Sequence, residues 1–439
     1  MKKAEESVRL TYFRRSRKRT AQMRGEQKEE LEQAETESNL QTQTNSDVSD
    51  FWMLKSSSGS ESEQESDELM KKTATKKYLK SNEEMNLRLY LKEFERNFDM
   101  EKAVCNHGFF MMAPNVWNPK YKSLTRPLTL SNFSSVSVTI SHPPNLSFLV
   151  IQVHGINNVS RVDEELILKQ VGRMLRISAE DDRDVTEFQQ LHENAKKYGF
   201  GRIFRSPFLF EDMVKSILLC NSTWERTLGM ASSLCILQSK LADGTVRSPS
   251  SQTNKRRKRV VKETKESSKK ETIGNFPSSK EIASLDKELI NEHCKLGYRG
   301  NWIVKLAKVV ESGKLNLEEM ERRDMTAEQV SEKLKKLTGF GAFVTATVLM
   351  CIGYYHLVPS DTETLRLFRE VHGNVECSKE TLETAAQSFY DRFSPFQSLA
   401  YWFDLIQNYE TKLGKLSELS QLDYKSVSGC SHMKQLKAD

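Results

Sequence analysis

The sequence predicts an α+β protein: an antiparallel sheet, then a larger and mainly helical domain, with polar tails and one polar insert that belong to neither. Three observations predict it. Val136, Val138 and Ile140 alternate with polar residues, and 148–153 is almost continuously apolar, the two patterns that strands show when one or both faces are buried. From residue 204 onward apolar residues recur three and four apart, the spacing of helices with one face on a core. Finally, 1–80 and 240–275 are rich in polar and charged residues without any apolar period, so burial there cannot offset the entropy of ordering the chain.

At 439 residues, with 29% charged and only 37% hydrophobic, the chain has room for two or three domains and a share that does not pack. The reading divides it into a disordered charged region (1–80), an antiparallel α+β domain (81–200), a helical domain (201–416, with the flexible basic insert 240–275) and a frayed tail (417–439). Net charge is a modest +6, so the position of the charge says more than its sum. Seven cysteines (105, 220, 235, 294, 351, 377, 430) are scattered without a CxxC pair, which predicts a reducing compartment, no disulfide framework and no zinc site. The longest mainly apolar run, 343–355, is too short and interrupted to span a bilayer, and the amino terminus has no signal-peptide core, so no membrane association is expected.

In chain order, the run Arg14-Arg15-Ser16-Arg17-Lys18-Arg19 reads equally as a nuclear-localisation patch, a DNA-attracting arm or a solvated charge run. The serine and acid run 56–68 reads as a spacer. A capping box at Ser81 and Glu84, ahead of Leu87, Leu91, Phe94 and Phe98, predicts a helix. The sheet follows over 105–155, and a helix carrying Leu166, Gln170, Val171 and Met174 should close this domain. Cys105 and His107 lack further ligand partners and read as core or surface residues. At 204–208, Ser206 should cap and Pro207 open a helix through Val214 and Leu218. The insert carries a second basic run, 255–259, suited to import or to phosphates.

The most informative stretch is 333–370. A polar helix-favouring run ends at Leu337, Thr338-Gly339-Phe340-Gly341 reverse the chain, and an apolar run begins at Phe343. Two glycines one residue apart let the backbone turn without a Cβ clash and leave the second helix's first amides facing outward, a seat for phosphate. Pro359 then stops the incoming helix. Asp361 falls at the mouth of the next one, where free amides and the helix dipole favour its ionised form.

Hairpin, apolar helix and Pro-x-Asp in this order, with Asp361 twenty residues after Gly341, resemble the helix-hairpin-helix (HhH-GPD) DNA glycosylases. The resemblance covers roughly 100–415 and mixes the 8-oxoguanine and alkyladenine branches. It implies a TBP-like antiparallel amino-terminal domain, opened here by Asn106-His107-Gly108-Phe109-Phe110. It also implies a catalytic Asp361, with Gly339 and Gly341 holding a phosphate. Asn221 would fill the hole left by a flipped base, Tyr298 would wedge into the stack, and Arg226 and Arg299 would read the orphaned opposite base. Main-chain carbonyls of Lys335, Leu337 and Phe340 occupy the positions that bind an alkali cation, Na⁺ or K⁺, in relatives. Only Cys430 lies where some relatives carry a four-cysteine iron-sulfur loop, so no such cluster is expected.

The resemblance departs from the 8-oxoguanine branch at two pocket positions: Phe343 stands for the catalytic lysine and Tyr401 for a base-reading glutamine. Phe343, Tyr401 and Trp402 are the expected base-pocket rings, since aromatics stack on electron-poor bases. The implied activity is excision of a damaged or modified base from double-stranded DNA by hydrolysis of its N-glycosidic bond, as a monofunctional base excision repair enzyme. The alternatives are a non-catalytic damage-binding protein with the same fold, and a bifunctional glycosylase/lyase using another lysine. A nuclear monomer, imported by a receptor that reads the basic clusters, completes the expectation.

Overall fold

Alternation along the second hundred residues produces the expected sheet. The computed structural model describes residues 85–91, 98–246, 272–373 and 377–428. Within them β1 (Met85–Tyr90), β2 (Val116–Asn118), β3 (Ser123–Thr129), β4 (Ser135–Ser141) and β5 (Phe148–Val153) form one antiparallel sheet in the order β1-β5-β4-β3-β2. Val136, Val138 and Ile140 are the buried positions of β4, and Ile140 stands between Leu124 and Ile151 of its two neighbours. A short helix, α1 (Met100–Val104), precedes β2. The closing helix is α2 (Arg161–Leu175), which buries Ile167, Gln170, Val171 and Met174. Gln170 fastens it to the sheet: its amide accepts from the Thr129 N–H (3.0 Å) and donates to the Thr129 carbonyl (2.8 Å).

One expectation fails here. The segment read as a helix from Ser81 is, at Met85–Tyr90, the edge strand β1, with Leu87 opposite Ile151. Leu87 and Leu91 are four residues apart, a spacing that suits a helical face and also, being even, one face of a strand. Local pattern could not separate the two, and pairing with β5 decides. Ser81, Glu84 and Phe94 lie outside the described residues, as do the basic runs 14–19 and 255–259, the run 56–68 and Cys430.

Beyond the sheet the chain is helical: α3 (Ala179–Leu191), α4 (Glu193–Tyr198), α5 (Leu209–Leu219), α6 (Trp224–Ala242), α7 (Ser279–Ala283), α8 (Lys287–Cys294) and α9 (Tyr298–Glu311). Then come α10 (Leu317–Glu321), α11 (Ala327–Lys335), α12 (Ala342–Ile352), α13 (Thr362–Glu370), α14 (Leu382–Tyr390) and α15 (Gln397–Leu413). Helix α12 is buried on every side from Val344 to Ile352, which is why its sequence is apolar without a period. One continuous apolar core holds Ile151 and Met174 of the sheet side together with Leu218, Val348 and Leu405.

Sheet and helices are also joined by buried charge. Arg126 of β3 grips Glu211 of α5 with both Nη atoms (3.2 and 3.0 Å), and Lys215 pairs with the same carboxylate at 2.7 Å. Burial alone would raise the Glu211 pKa, but the two cations outweigh it and hold the carboxyl at about 2. Removing one partner of such a set would cost about 3–5 kcal/mol, because it strands a buried charge.

The carboxyl end of α12 is closed by side chains from far away in sequence. Arg176 donates to the carbonyls of Met350 (2.7 Å) and Cys351 (3.1 Å), and Arg205 to that of Cys351 (2.8 Å). Orphan carbonyls and buried guanidinium groups satisfy one another. The following loop is pinned by Gln387, which accepts from the Val358 N–H (3.3 Å) and donates to the His356 carbonyl (2.7 Å). Both ends of the path to Asp361 are therefore fixed.

Two further expectations are corrected. Helix α5 starts at Leu209 without a side-chain cap; the Ser206 N–H instead donates to the buried Asp212 (2.7 Å), so the helix holds the serine and not the reverse. Nor is the segment after residue 416 frayed as far as it is described. The Trp117 indole donates to the Ser417 carbonyl and the Trp224 indole to the Tyr424 carbonyl, each at 2.8 Å, and the Tyr424 side chain is buried. Two indole N–H groups leaving water require acceptors, and this segment supplies them.

Candidate active site

The hairpin between α11 and α12 turns in two steps, with the Leu337 N–H on the Leu334 carbonyl (2.9 Å) and the Phe340 N–H on the Leu337 carbonyl (3.2 Å). Gly339 has φ +93°, and a Cβ there would lie 2.5 Å from the Trp302 ring, so the position admits only glycine. Gly341 is different. Its φ is −76°, an added Cβ would meet nothing within 4 Å, and the turn does not need a glycine there, which corrects the reading of both glycines as turn formers. It is the exposed N-cap of α12, and among the described residues no side chain caps that helix's first turn. Lys335 and Lys336 are exposed just before it.

A second group assembles where α5, α6 and α9 meet. Asn221 takes the left-handed conformation (φ +46°) that asparagine tolerates better than most residues. Its amide lies 3.4 Å from the hydroxyl of Tyr298, whose side chain is 46% exposed and whose ring stands 4.7 Å from that of Trp302. Since Trp302 also closes over Gly339, the residues Asn221, Tyr298, Trp302 and Gly339 form one continuous strip. Arg226 is exposed on the first turn of α6. The sequence reading missed Trp302, although Tyr298 and Trp302 are four apart on one helix and so share a face.

Arg299 does not join the exposed group. It is 1% exposed and donates to the carbonyls of Cys220 and Asn221, the latter at 3.0 Å. The expected reader of an opposite base is here a brace that holds Asn221. The reason is geometric: one residue along a helix rotates about 100°, so if Tyr298 points out its successor points in.

Asp361 is the N-cap of α13. Its Oδ1 accepts from the N–H groups of Glu363 (2.9 Å) and Thr364 (3.1 Å) and lies 3.2 Å from the Thr364 hydroxyl. Among the described residues no lysine or arginine forms an ion pair with it. Burial is the largest influence and raises its pKa, the negative charge of Glu363 adds to the rise, the Thr364 and Glu363 hydrogen bonds oppose it, and the carboxyl ends at about 6. The cap favours the charged form, as expected, but desolvation wins.

Neighbouring Glu363 has a cation partner: Arg366 donates to it at 3.0 Å and the Tyr409 hydroxyl at 3.1 Å, though its charge still helps to raise the Asp361 pKa. The two carboxylates, two residues apart, are thus held in opposite electrostatic settings.

The expected pocket rings separate. Tyr401 is buried and its hydroxyl lies 2.8 Å from that of Thr364, so it points toward the Asp361 cap. Trp402 stands edge-on to His107, with centroids 4.6 Å apart. His107 is a buried core residue whose Nδ1 lies 3.1 Å from the Phe204 carbonyl, and burial pushes its pKa down to about 3, keeping it neutral. Phe343 is half-buried on the first turn of α12. The Leu337 carbonyl, one of the three expected around an alkali cation, accepts the Phe340 N–H and retains a lone pair.

No family model matches the chain, and no curated protein matches it. The chain is similar to DNA glycosylases of solved structure. One is MBOgg1 in complex with a low-affinity DNA ligand, 17% identical, with 74% of this chain and 95% of that chain covered and a TM-score of 0.48. A second is the 3-methyladenine DNA glycosylase of Archaeoglobus fulgidus, at 16% identity, 74% and 99% coverage and a TM-score of 0.46. A third is the apo 8-oxoguanine glycosylase/lyase of Clostridium acetobutylicum, at 14% identity, 66% and 97% coverage and a TM-score of 0.42.

Proposed function

We propose that this protein is a monofunctional DNA glycosylase that turns a damaged base out of double-stranded DNA and hydrolyses its N-glycosidic bond. The observation that carries the reading is Asp361: a carboxylate fixed by two backbone amides, without a cation partner among the described residues, its pKa raised to about 6. As the glycosidic bond breaks, positive charge grows on the sugar. A preorganised carboxylate stabilises that charge and orients the attacking water.

The exposed strip supplies the rest. Uncapped amides at Gly341, beside Lys335 and Lys336, seat a phosphate. Tyr298 and Asn221 occupy the gap in the stack, offsetting a few kcal/mol of lost stacking. Arg226 meets the opposite strand, and Phe343 and Trp402 border the extruded base. An alkali cation held by the carbonyls of Lys335, Leu337 and Phe340 would add positive charge beneath the phosphate. The basic runs 14–19 and 255–259 suit an import receptor, and the proposal places the monomeric enzyme in the nucleus.

The test is a screen of duplexes carrying alkylated, oxidised and deaminated bases, with wild-type protein and Asp361→Asn side by side. Base release from at least one lesion by the wild type, and a fall of about 10²-fold or more in the variant, are expected. Equal rates for the two proteins would overturn the role of Asp361. Tight binding without release of any base would leave a damage-binding protein.

A further inference from the structure

The Asp361 cap contains a hydroxyl that touches more partners than it has protons. Thr364 Oγ1 lies 3.1 Å from the Asp361 N–H, 3.2 Å from Asp361 Oδ1 and 2.8 Å from the Tyr401 hydroxyl. A threonine hydroxyl has one proton and two lone pairs. When Asp361 is ionised, one assignment satisfies all three contacts: Thr364 donates to the carboxylate, and its lone pairs accept the Asp361 N–H and the Tyr401 O–H. When Asp361 is protonated, the Thr364 proton is released from it and has the Pro359 carbonyl within 3.4 Å.

We propose that Tyr401 and Thr364 form a two-hydroxyl relay that stabilises the ionised form of Asp361 from behind, making both positioning residues for the base-excision reaction. The inference rests on the glycosylase reading only for its consequence in catalysis; the relay itself is a property of the carboxyl group.

Of the other groups around Asp361, Glu363 opposes its ionisation through its own charge, and the rest are engaged elsewhere. On its own helix Glu363 is paired with Arg366, and Arg366 also holds Glu370 at 2.7 Å, so its charge is shared between those two acids. From α15, Tyr409 donates to Glu363. In the preceding loop Tyr354 donates to the Met325 carbonyl, Tyr355 lies beside Arg176 and His356 is influenced by Glu328. Among the described residues this leaves the Thr364 hydroxyl and the two backbone amides as the donors to the Asp361 carboxylate. Tyr401 is suited to its part because burial, then the nearby Asp361, raise its pKa well above the ordinary phenol value and keep its proton in place.

The experiment is a carboxyl-carbon NMR titration of the full chain with labelled aspartate, the Asp361 signal being assigned by its loss in Asp361→Asn. Tyr401→Phe removes the second hydroxyl and Thr364→Val the first; each should move the Asp361 titration upward by about 0.5 pH unit or more, with Thr364→Val the larger. Thr364→Ser should titrate like the wild type. In base release the acid limb of the pH profile should move with the carboxyl. Should Thr364→Val not fold, Tyr401→Phe, which deletes a single oxygen atom, carries the test alone. An unmoved Asp361 titration in Tyr401→Phe would overturn the relay whatever the activity. A titration that moves as expected in a protein that releases no base would support the relay and remove the glycosylase reading.

Discussion

The indole of Trp302 occupies the space that a side chain at Gly339 would need, 2.5 Å from where its Cβ would lie. Because the same indole stands 4.7 Å from Tyr298, hairpin and exposed tyrosine are parts of one packed unit. Gly339→Ala should therefore cost at least about 2 kcal/mol in denaturant unfolding, from the left-handed backbone and the clash together, and should weaken DNA binding as well. Gly341→Ala should leave unfolding unchanged within about 0.5 kcal/mol, since nothing lies near the added methyl. It should still lower affinity for duplex DNA if, as proposed, a phosphate approaches the amides there. Equal stability loss in the two variants would contradict this division of labour.

The two arginines should behave oppositely. Arg226 is exposed, so Arg226→Ala should keep stability and lose about 1–3 kcal/mol of discrimination between bases opposite the lesion. Arg299→Ala should destabilise the fold by about 2 kcal/mol or more, since it removes a buried side chain and its hydrogen bonds to the part-buried Cys220 and Asn221 carbonyls. Its effect on binding should be the same for all four opposite bases. Thermal unfolding and a four-base binding series separate the roles; base-selective loss in Arg299→Ala with unchanged stability would restore the role its position in the sequence suggested.

A carboxyl held above its ordinary pKa makes the fold less stable as it ionises. Between about 4 and 6 folded Asp361 keeps a proton that the unfolded chain has lost, so stability falls as pH rises through that window. Above it the cost reaches up to about 3 kcal/mol. Asp361→Asn keeps the acceptor oxygen for Glu363 and Thr364 but removes the charge. The variant should melt higher than the wild type at pH 7.5 and lose that advantage near pH 4, while base release stays at least about 10²-fold slower. A variant less stable at pH 7.5 would show that the charge is well solvated.

What could be read from the sequence was whatever one segment determines alone. The hairpin, the apolar helix α12 and the capping position of Asp361 each follow from a few adjacent residues, and the structure has them where the pattern put them. What could not be read depends on partners far away. Thr364 becomes important only because Tyr401, 37 residues on, reaches its hydroxyl. Arg299 looks like a base reader until the Cys220 and Asn221 carbonyls come to meet it. The docked segment beyond residue 416 has little apolar pattern of its own and is held by two indoles from elsewhere in the chain.

The chemistry after base release turns on amines. A glycosylase that also cleaves the strand needs a lysine to attack the sugar's anomeric carbon and form a Schiff base. The hairpin position from which relatives supply that lysine is Phe343, which has no amine. Lys335 and Lys336 are exposed on the far side of the turn, where solvated ammonium groups suit phosphates. Lys215 is fully buried and paired with Glu211 at 2.7 Å, which keeps its amine away from a bound duplex. On the proposed reading, water is the attacking group and an abasic site the product. Borohydride added during turnover should trap no covalent protein–DNA adduct, and strand nicks should appear only after alkali or an abasic-site nuclease. Phe343→Lys would place an amine on the first turn of α12; if the sugar comes within reach there, this variant should trap where the wild type does not. Efficient trapping by the wild type, lost on changing Lys335 or Lys336, would instead make the enzyme a lyase with its nucleophile on the opposite side of the hairpin.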